Sequence, residues 1–236
     1  LSIGNSKSLS AIDISTLKNE IGMSSVNLAY SSANMSVSKL TLESYLNKCI
    51  IIPKMVLLEV SWFSFNNKRT NLHSISGDLF LNDFKLFKHF DKYRFKMESN
   101  IKTCLLNQLR NIFYSNSLTF NIRTKQLSPK KKSYLFNKEK MLITFPDLIS
   151  GVDKLLLNDF YQIINMCKRN NIKLILYTSP EDEDYSKSQL DKGLIENIFK
   201  NSQNRYENLY YLNYSYRGDL WKKEYENWLR DSHHIN

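Results

Sequence analysis

Residues 152–180 read VDKLLLNDFYQIINMCKRNNIKLILYTSP, and they contain the clearest helix-to-strand unit of the chain. Its first part places apolar residues at helical spacing, which predicts an amphipathic helix over 152–169. Lys168 and Arg169 would complement the dipole at the end of that helix. Residues 172–177 then form a short β-like run, which Ser179 and Pro180 end. A helix that leads directly into a buried strand is typical of a parallel α/β sheet.

The same alternation continues on both sides of this unit. We predict four further strands, over residues 1–3, 25–29, 55–60 and 210–214. The run 55–60 is nearly all apolar, as expected for a strand that is covered on both faces. With right-handed crossovers, this pattern predicts a single α/β domain over residues 1–236. Its form would be a three-layer α/β/α sandwich around a mostly parallel five-stranded sheet.

The alternation stops between residues 66 and 146. Residues 78–112 read as helical with an aromatic stripe, and residues 119–133 are basic and turn-like. We predict a mostly helical, basic insertion within the domain, whose aromatic side chains serve packing rather than ligand binding.

Composition limits the class of protein. The chain has 236 residues, of which 42% are hydrophobic and 13% aromatic, so a disordered chain is excluded. Six glycines and four prolines exclude collagen-like and low-complexity architectures. No apolar run approaches the ~18–20 residues of a membrane helix. The abrupt start suggests that a leader or anchor could lie upstream.

The net charge of +10 favours an anionic partner. The candidates are an acidic polysaccharide, a phospholipid surface and a nucleic acid. Apart from three lysines at residues 130–132, the positive charge is dispersed, so a solvated basic surface is the simpler interpretation. No nucleic-acid-binding motif surrounds those lysines, and we expect no nucleic acid partner.

The sequence offers little for a metal or a cofactor. Cys49, Cys104 and Cys167 are scattered and are interpreted as small buried hydrophobes. His73 and His89 are isolated, so no metal site is predicted. No glycine-rich phosphate-binding motif is present, and no cofactor is expected.

Two short motifs could carry chemistry. Gly4-Asn5-Ser6-Lys7-Ser8 directly follows the first strand, where α/β proteins place their sites. A helix that begins after Ser6 would also aim backbone N–H groups at a developing negative charge. The alternative is that Ser8 or Ser10 only caps a helix.

The second motif, Asp231-Ser232-His233-His234, follows the last predicted strand. An Asp–x–x–His spacing lets a carboxylate orient an imidazole, and strand order would bring both to the sheet edge that carries Ser6. The alternative is a solvated Asp/His cluster.

Together these motifs resemble the SGNH (GDSL-type) hydrolase superfamily, in its envelope-polysaccharide-associated branch. Gly4–Ser8 is similar to the nucleophile block of that superfamily, and Asp231–His234 to its Asp–x–x–His block. The resemblance implies a flavodoxin-like sandwich and a catalytic triad of Ser6, His234 and Asp231. It further implies an oxyanion hole built from the Ser6 and Ser32 amides, with Ser32 in place of the usual glycine.

The third block departs from the family pattern, because Phe63 stands where its asparagine is expected. Loss of such a donor from a working oxyanion hole costs ~10²–10³ in turnover. Ser61, Ser64 or Asn66 could supply a substitute.

The expected function is that of a serine-dependent esterase or O-acyltransferase. The acyl group would be acetyl, and the substrate a bacterial envelope carbohydrate or another small ester. An anionic polysaccharide is a further candidate partner, and an extracytoplasmic location follows from the resemblance. The alternative is a catalytically silent SGNH-fold module that binds carbohydrate or a protein partner.

Overall fold

A computed structural model of the chain describes residues 1–29, 33–62, 64–65, 151–181 and 191–215. Strands and helices alternate along these residues. Their order is β1 (Ser2–Ile3), α1 (Ser6–Ala11), α2 (Ile14–Ile21), α3 (Met35–Lys48), β2 (Met55–Glu59), α4 (Lys154–Arg169), β3 (Lys173–Thr178), α5 (Lys192–Arg205) and β4 (Leu209–Asn213). The predicted insertion at 66–146 lies outside the described residues.

The described strands form one parallel sheet of four, in the order β1-β2-β3-β4. The predicted α/β class and parallel pairing are therefore confirmed. The run 25–29, predicted as a strand, makes a single parallel bridge between Asn27 and Ser2 instead of a regular ladder. Around that bridge, the Ser2 N–H donates to the Val26 carbonyl at 2.9 Å, and the Leu28 N–H donates to the Ser2 carbonyl at 2.8 Å.

The core lies on one face of the sheet. Alternate residues of the two central strands are fully buried on that face, and they are Val56, Leu58, Leu174 and Leu176. Against them pack Phe160 of α4 and Phe199 of α5, whose ring centroids are 5.7 Å apart, together with Phe65. Edge-to-face aromatic pairs of this kind add to the stabilisation that burial gives.

The helix predicted over 152–169 is confirmed, and in the structure it spans Lys154–Arg169. Its N-cap residue, Asp153, defines where it starts. The Asp153 side chain accepts hydrogen bonds from the Leu155 and Leu156 N–H groups at 2.8 and 3.2 Å. The apolar stripe buries Leu156, Phe160, Ile163, Ile164 and Cys167.

Strands that run parallel require connecting helices that run back. The first turns of α4 and α5 therefore lie at the carboxyl edge of the sheet, and the last turns of α3, α4 and α5 lie at its amino edge. Among the described residues, no helix is long and apolar enough to cross a membrane.

Candidate active site at the carboxyl edge of the sheet

The predicted nucleophile block forms the tight turn between β1 and α1. Gly4 has φ +138°, a conformation that L side chains rarely adopt. A Cβ placed on Gly4 would also lie 2.8 Å from the Cβ of Glu59 in the neighbouring strand. Glycine is therefore required here both by backbone conformation and by the close approach of β2.

Asn5, not Ser8 or Ser10, caps α1. Its Oδ1 accepts a hydrogen bond from the Lys7 N–H at 2.8 Å. This arrangement leaves Ser6 as the first helical residue, with a half-buried side chain. Ser6 thus occupies the position at which a strand-to-helix turn presents a hydroxyl at the carboxyl edge of a parallel sheet.

The two neighbouring serines of the block differ sharply in environment. Ser8 is fully buried, and its Oγ accepts a hydrogen bond from the Tyr177 hydroxyl at 2.9 Å. The same Oγ lies 2.9 Å from the Ser2 Oγ. Ser8 therefore joins α1 to β1 and β3, which is a structural role. Of the two, only Ser6 has a side chain that is partly accessible.

The turn after β2 approaches the block from the other side. The Ser61 N–H donates to the Ser64 Oγ at 2.8 Å, and the Ser64 N–H donates to the Ser61 carbonyl at 2.9 Å. The Asn5 Nδ2 lies 3.5 Å from the Ser61 Oγ. The segment that resembles the third family block therefore lies beside the predicted nucleophile block.

The residue that follows Ser6 takes part in a buried ion pair. The Lys7 ammonium contacts the Glu181 carboxylate, and both side chains are completely inaccessible to solvent. Glu181 follows the end of β3, so this contact joins the carboxyl ends of β1 and β3. Removing one partner of such a pair leaves a buried charge without compensation, which is strongly destabilising.

Glu59, the last residue of β2, lies next to this pair and is itself buried. Neither of its carboxylate oxygens has a hydrogen-bond partner of good geometry among the described residues. The pKa of Glu59 is raised to about 8, chiefly by burial. The negative charge of Glu181 also raises this pKa, whereas the Lys7 ammonium and the Asn5 amide lower it. Glu59 is therefore mostly protonated at neutral pH.

A small recess, lined in part by Glu181, opens at the same edge. Aromatic, amide and charged side chains line it, among them Trp62, Tyr211, Asn213 and Lys192. Burial lowers the pKa of Lys192, although Glu181 and Glu196 oppose this effect. The recess has a volume of about 20 Å³, which is enough for a water molecule but far below the ~300–1,000 Å³ of a ligand pocket.

Of the predicted site residues, only Ser6 is among those described. Ser32, Asp231 and His234 lie outside the described residues, as does Phe63. In the described part of the chain, no group of three His, Cys, Asp or Glu side chains could hold a metal ion.

Sequence reasoning missed the three buried charged residues of this edge, which are Lys7, Glu59 and Glu181. One signal was present: Glu59 is a lone acid in an otherwise apolar strand, and Glu181 follows the end of the next strand. Because the ends of parallel strands meet at one edge, those two carboxylates had to lie close together.

No protein-family model, no curated protein and no solved structure matches this chain.

Proposed function

We propose that this chain is a serine-dependent esterase or O-acyltransferase of the SGNH type. The observation that carries the proposal is the setting of Ser6. Its half-buried hydroxyl follows a turn that requires glycine at the carboxyl edge of a parallel sheet, whereas the neighbouring Ser8 is buried and hydrogen-bonded. A nucleophile needs this combination of rigid support and access.

In the proposed mechanism, the Ser6 Oγ attacks the ester carbonyl while His234 takes the hydroxyl proton. Asp231 holds the imidazole in the required tautomer. His234 then returns the proton to the departing alkoxide, which leaves an acyl group on Ser6. Water completes hydrolysis, whereas a sugar hydroxyl in its place completes transfer. The roles of His234 and Asp231 come from their resemblance to the family block.

The tetrahedral intermediate would be stabilised by the backbone N–H groups of Ser6 and Ser32. The missing third-block asparagine calls for a further donor. Ser61 and Ser64 carry hydroxyl groups in the turn beside the block, and the Asn5 amide lies 3.5 Å from the Ser61 Oγ. We assign the substitute donor to this serine turn.

The sheet supports the finer fold proposal as well. With the bridged segment around Asn27 counted as a strand, the spatial order of the five predicted strands becomes 2-1-3-4-5, the flavodoxin-like order. Right-handed crossovers would then place α3, α4 and α5 on one face and α1 and α2 on the other. This is the three-layer sandwich that the resemblance implies.

The proposed substrate is an acetylated carbohydrate of the bacterial envelope, acted on outside the cytoplasm. This part rests on the family resemblance alone.

A fluorophosphonate probe tests the nucleophile directly. We expect the intact protein to be labelled, and labelling and esterase turnover to fall by about 10⁴-fold or more in Ser6→Ala. Ser8→Ala is the matched control, since it removes a hydroxyl two residues away and should keep the labelling. Thermal unfolding of both variants separates loss of the nucleophile from loss of the fold. An unlabelled native protein, or a labelled Ser6→Ala, would refute the mechanism.

The second candidate is a catalytically silent module that binds carbohydrate or a protein partner. Phe63 at the third-block position favours it, because a functional oxyanion hole in this family includes an asparagine there. Sugar binding by calorimetry, together with an absence of labelling, would support this candidate.

A further inference from the structure

Three consecutive isoleucines are exposed at the amino edge of the sheet, opposite the candidate active site. Ile50, Ile51 and Ile52 have relative exposures of 101%, 77% and 52%. They form the loop between the last turn of α3 and the first residue of β2. We call this loop the isoleucine tip. Single exposed apolar residues are ordinary, but three large ones in succession mark an interaction surface.

Exposed cations lie at the same edge of the sheet as the isoleucine tip. Lys54 follows it in the chain, and the Lys173 N–H donates to the Lys54 carbonyl at 3.0 Å, so the two lysines start adjacent strands. Lys168 and Arg169 end α4, which packs against α3. Because α3 and α4 both run back to the amino edge, both helices end at the edge that carries the tip. Arg205 ends α5 at this edge as well.

Negative charge is sparse at this edge among the described residues. Glu207, between α5 and β4, opposes the five cations, while Lys18 and Glu20 in the last turn of α2 offset each other. Tyr210 adds an aromatic side chain, over whose ring the Lys173 Nζ lies at 5.2 Å. The edge thus combines exposed isoleucines, five cations and an aromatic residue.

We propose that the isoleucine tip and the cations at the same edge dock this chain on the surface of an anionic phospholipid bilayer. Apolar side chains of a peripheral protein enter the headgroup region, while lysines and arginines remain beside the phosphates. The overall charge of +10 would attract the chain to such a surface before the tip inserts. This proposal does not depend on the proposed enzymatic function.

Vesicle sedimentation tests the docking. The full chain is mixed with phosphatidylcholine vesicles, or with vesicles in which one third of the lipid is phosphatidylglycerol. We expect binding to the anionic vesicles alone, and a steep decrease in binding as salt is added. Ile51→Asp should weaken the binding by about tenfold or more, because it replaces an inserting apolar side chain with a negative charge.

Leu194→Asp is the matched control. Leu194 has an exposure of 53%, close to that of Ile52, but it lies in the first turn of α5 at the opposite edge. The two variants change charge equally, and neither alters the core. We expect Leu194→Asp to bind anionic vesicles as the unchanged protein does.

An environment-sensitive dye on Cys49, next to the tip, gives a second readout. Cys49 is exposed, whereas Cys167 is buried, and burial raises the pKa of its thiol to about 12, so Cys167 should not react. In a Cys104→Ser background, the emission of the dye should shift to the blue on anionic vesicles only.

Three results would overturn the proposal. The first is an absence of binding to anionic vesicles at low salt, and the second is equal binding by Ile51→Asp and Leu194→Asp. The third is concentration-dependent self-association in ultracentrifugation that Ile51→Asp abolishes, without any vesicle binding. That last result would make the tip an interface between copies of the chain.

Discussion

Replacing Glu59 with glutamine should remove a large pH dependence of stability. In the folded protein the pKa of Glu59 is raised to about 8, from an ordinary value of 4.5, chiefly by burial. Between these two values the folded protein holds a proton that the unfolded chain has released. Raising the pH through this range therefore favours unfolding, and the stabilisation is complete only below the unfolded pKa.

The magnitude follows from the size of the shift. A difference of ~3.5 pKa units corresponds to a limit of roughly 5 kcal/mol. Relative to Glu59→Gln, the unchanged protein should lose about 3 kcal/mol between about pH 4 and pH 7, and about 1 kcal/mol more by about pH 9. Glutamine has the shape of a protonated glutamate and cannot ionise, so the variant should be the more stable protein at neutral and alkaline pH.

The assay is urea unfolding of both proteins across this pH range. The difference between their free energies of unfolding reports the contribution of the Glu59 side chain. Glu181→Gln is the matched control, because it makes the same substitution at a second buried glutamate of the cluster. We expect it to destabilise the protein, whereas Glu59→Gln should stabilise it at neutral pH. Glu181→Gln removes the charge that compensates Lys7, and it should destabilise the protein by about 3–5 kcal/mol. A Glu59→Gln effect that is equal at every pH, or as damaging as that of Glu181→Gln, would show that Glu59 is ionised in the folded protein.

Two further predictions concern the backbone around the core and the site. Gly4→Ala should destabilise the protein by roughly 2–4 kcal/mol in urea unfolding, since it adds both backbone strain and the contact with the Glu59 Cβ. Gly22→Ala, at φ +65° in open space, should cost about 1 kcal/mol, and equal effects of the two would contradict the close approach of β2. Asp153→Ala should lower the free energy of unfolding by about 1 kcal/mol through loss of the α4 cap. Asp153→Asn should retain most of that stability, and a loss as large as that of alanine would argue against capping.

The parts of the fold that the sequence predicted well are those in which local and tertiary preferences agree. The helix over 152–169 combines an apolar stripe, an N-cap acid and basic residues in its last turn, so its limits follow from the residues themselves. The strand predicted at 172–177 was found at Lys173–Thr178, because an apolar run between a helix end and a proline has few alternatives.

The second predicted strand shows where such reasoning weakens. Residues 25–29 are short and lie at the edge of the sheet, where only one neighbour can pair with them. The segment pairs through a single bridge at Asn27, so its apolar pattern predicted a more regular strand than the structure has. Strand length in this region depends on pairing across the sheet, which a local pattern does not contain.

The burial of the Lys7–Glu181 ion pair could not be predicted, for a different reason. Lysine and glutamate are surface residues by default, and nothing local to Lys7 or Glu181 indicates burial. Their pairing depends on a separation of 174 positions and on the order of the strands. For the same reason, the proposed meeting of Ser6 with Asp231 and His234 stays a prediction.

The two proposals place constraints on each other, because they use opposite edges of the same sheet. β2 has five residues, so at about 3.3 Å per residue its two ends lie roughly 17 Å apart. An interfacial segment enters a bilayer by only about 5–10 Å, so a molecule that docks through the isoleucine tip would hold Ser6 in the aqueous phase. An ester that reaches Ser6 must then extend beyond the headgroup region. That geometry favours a sugar polymer over the headgroup of a bilayer lipid, and it predicts that anionic vesicles leave the turnover of a small water-soluble ester unchanged.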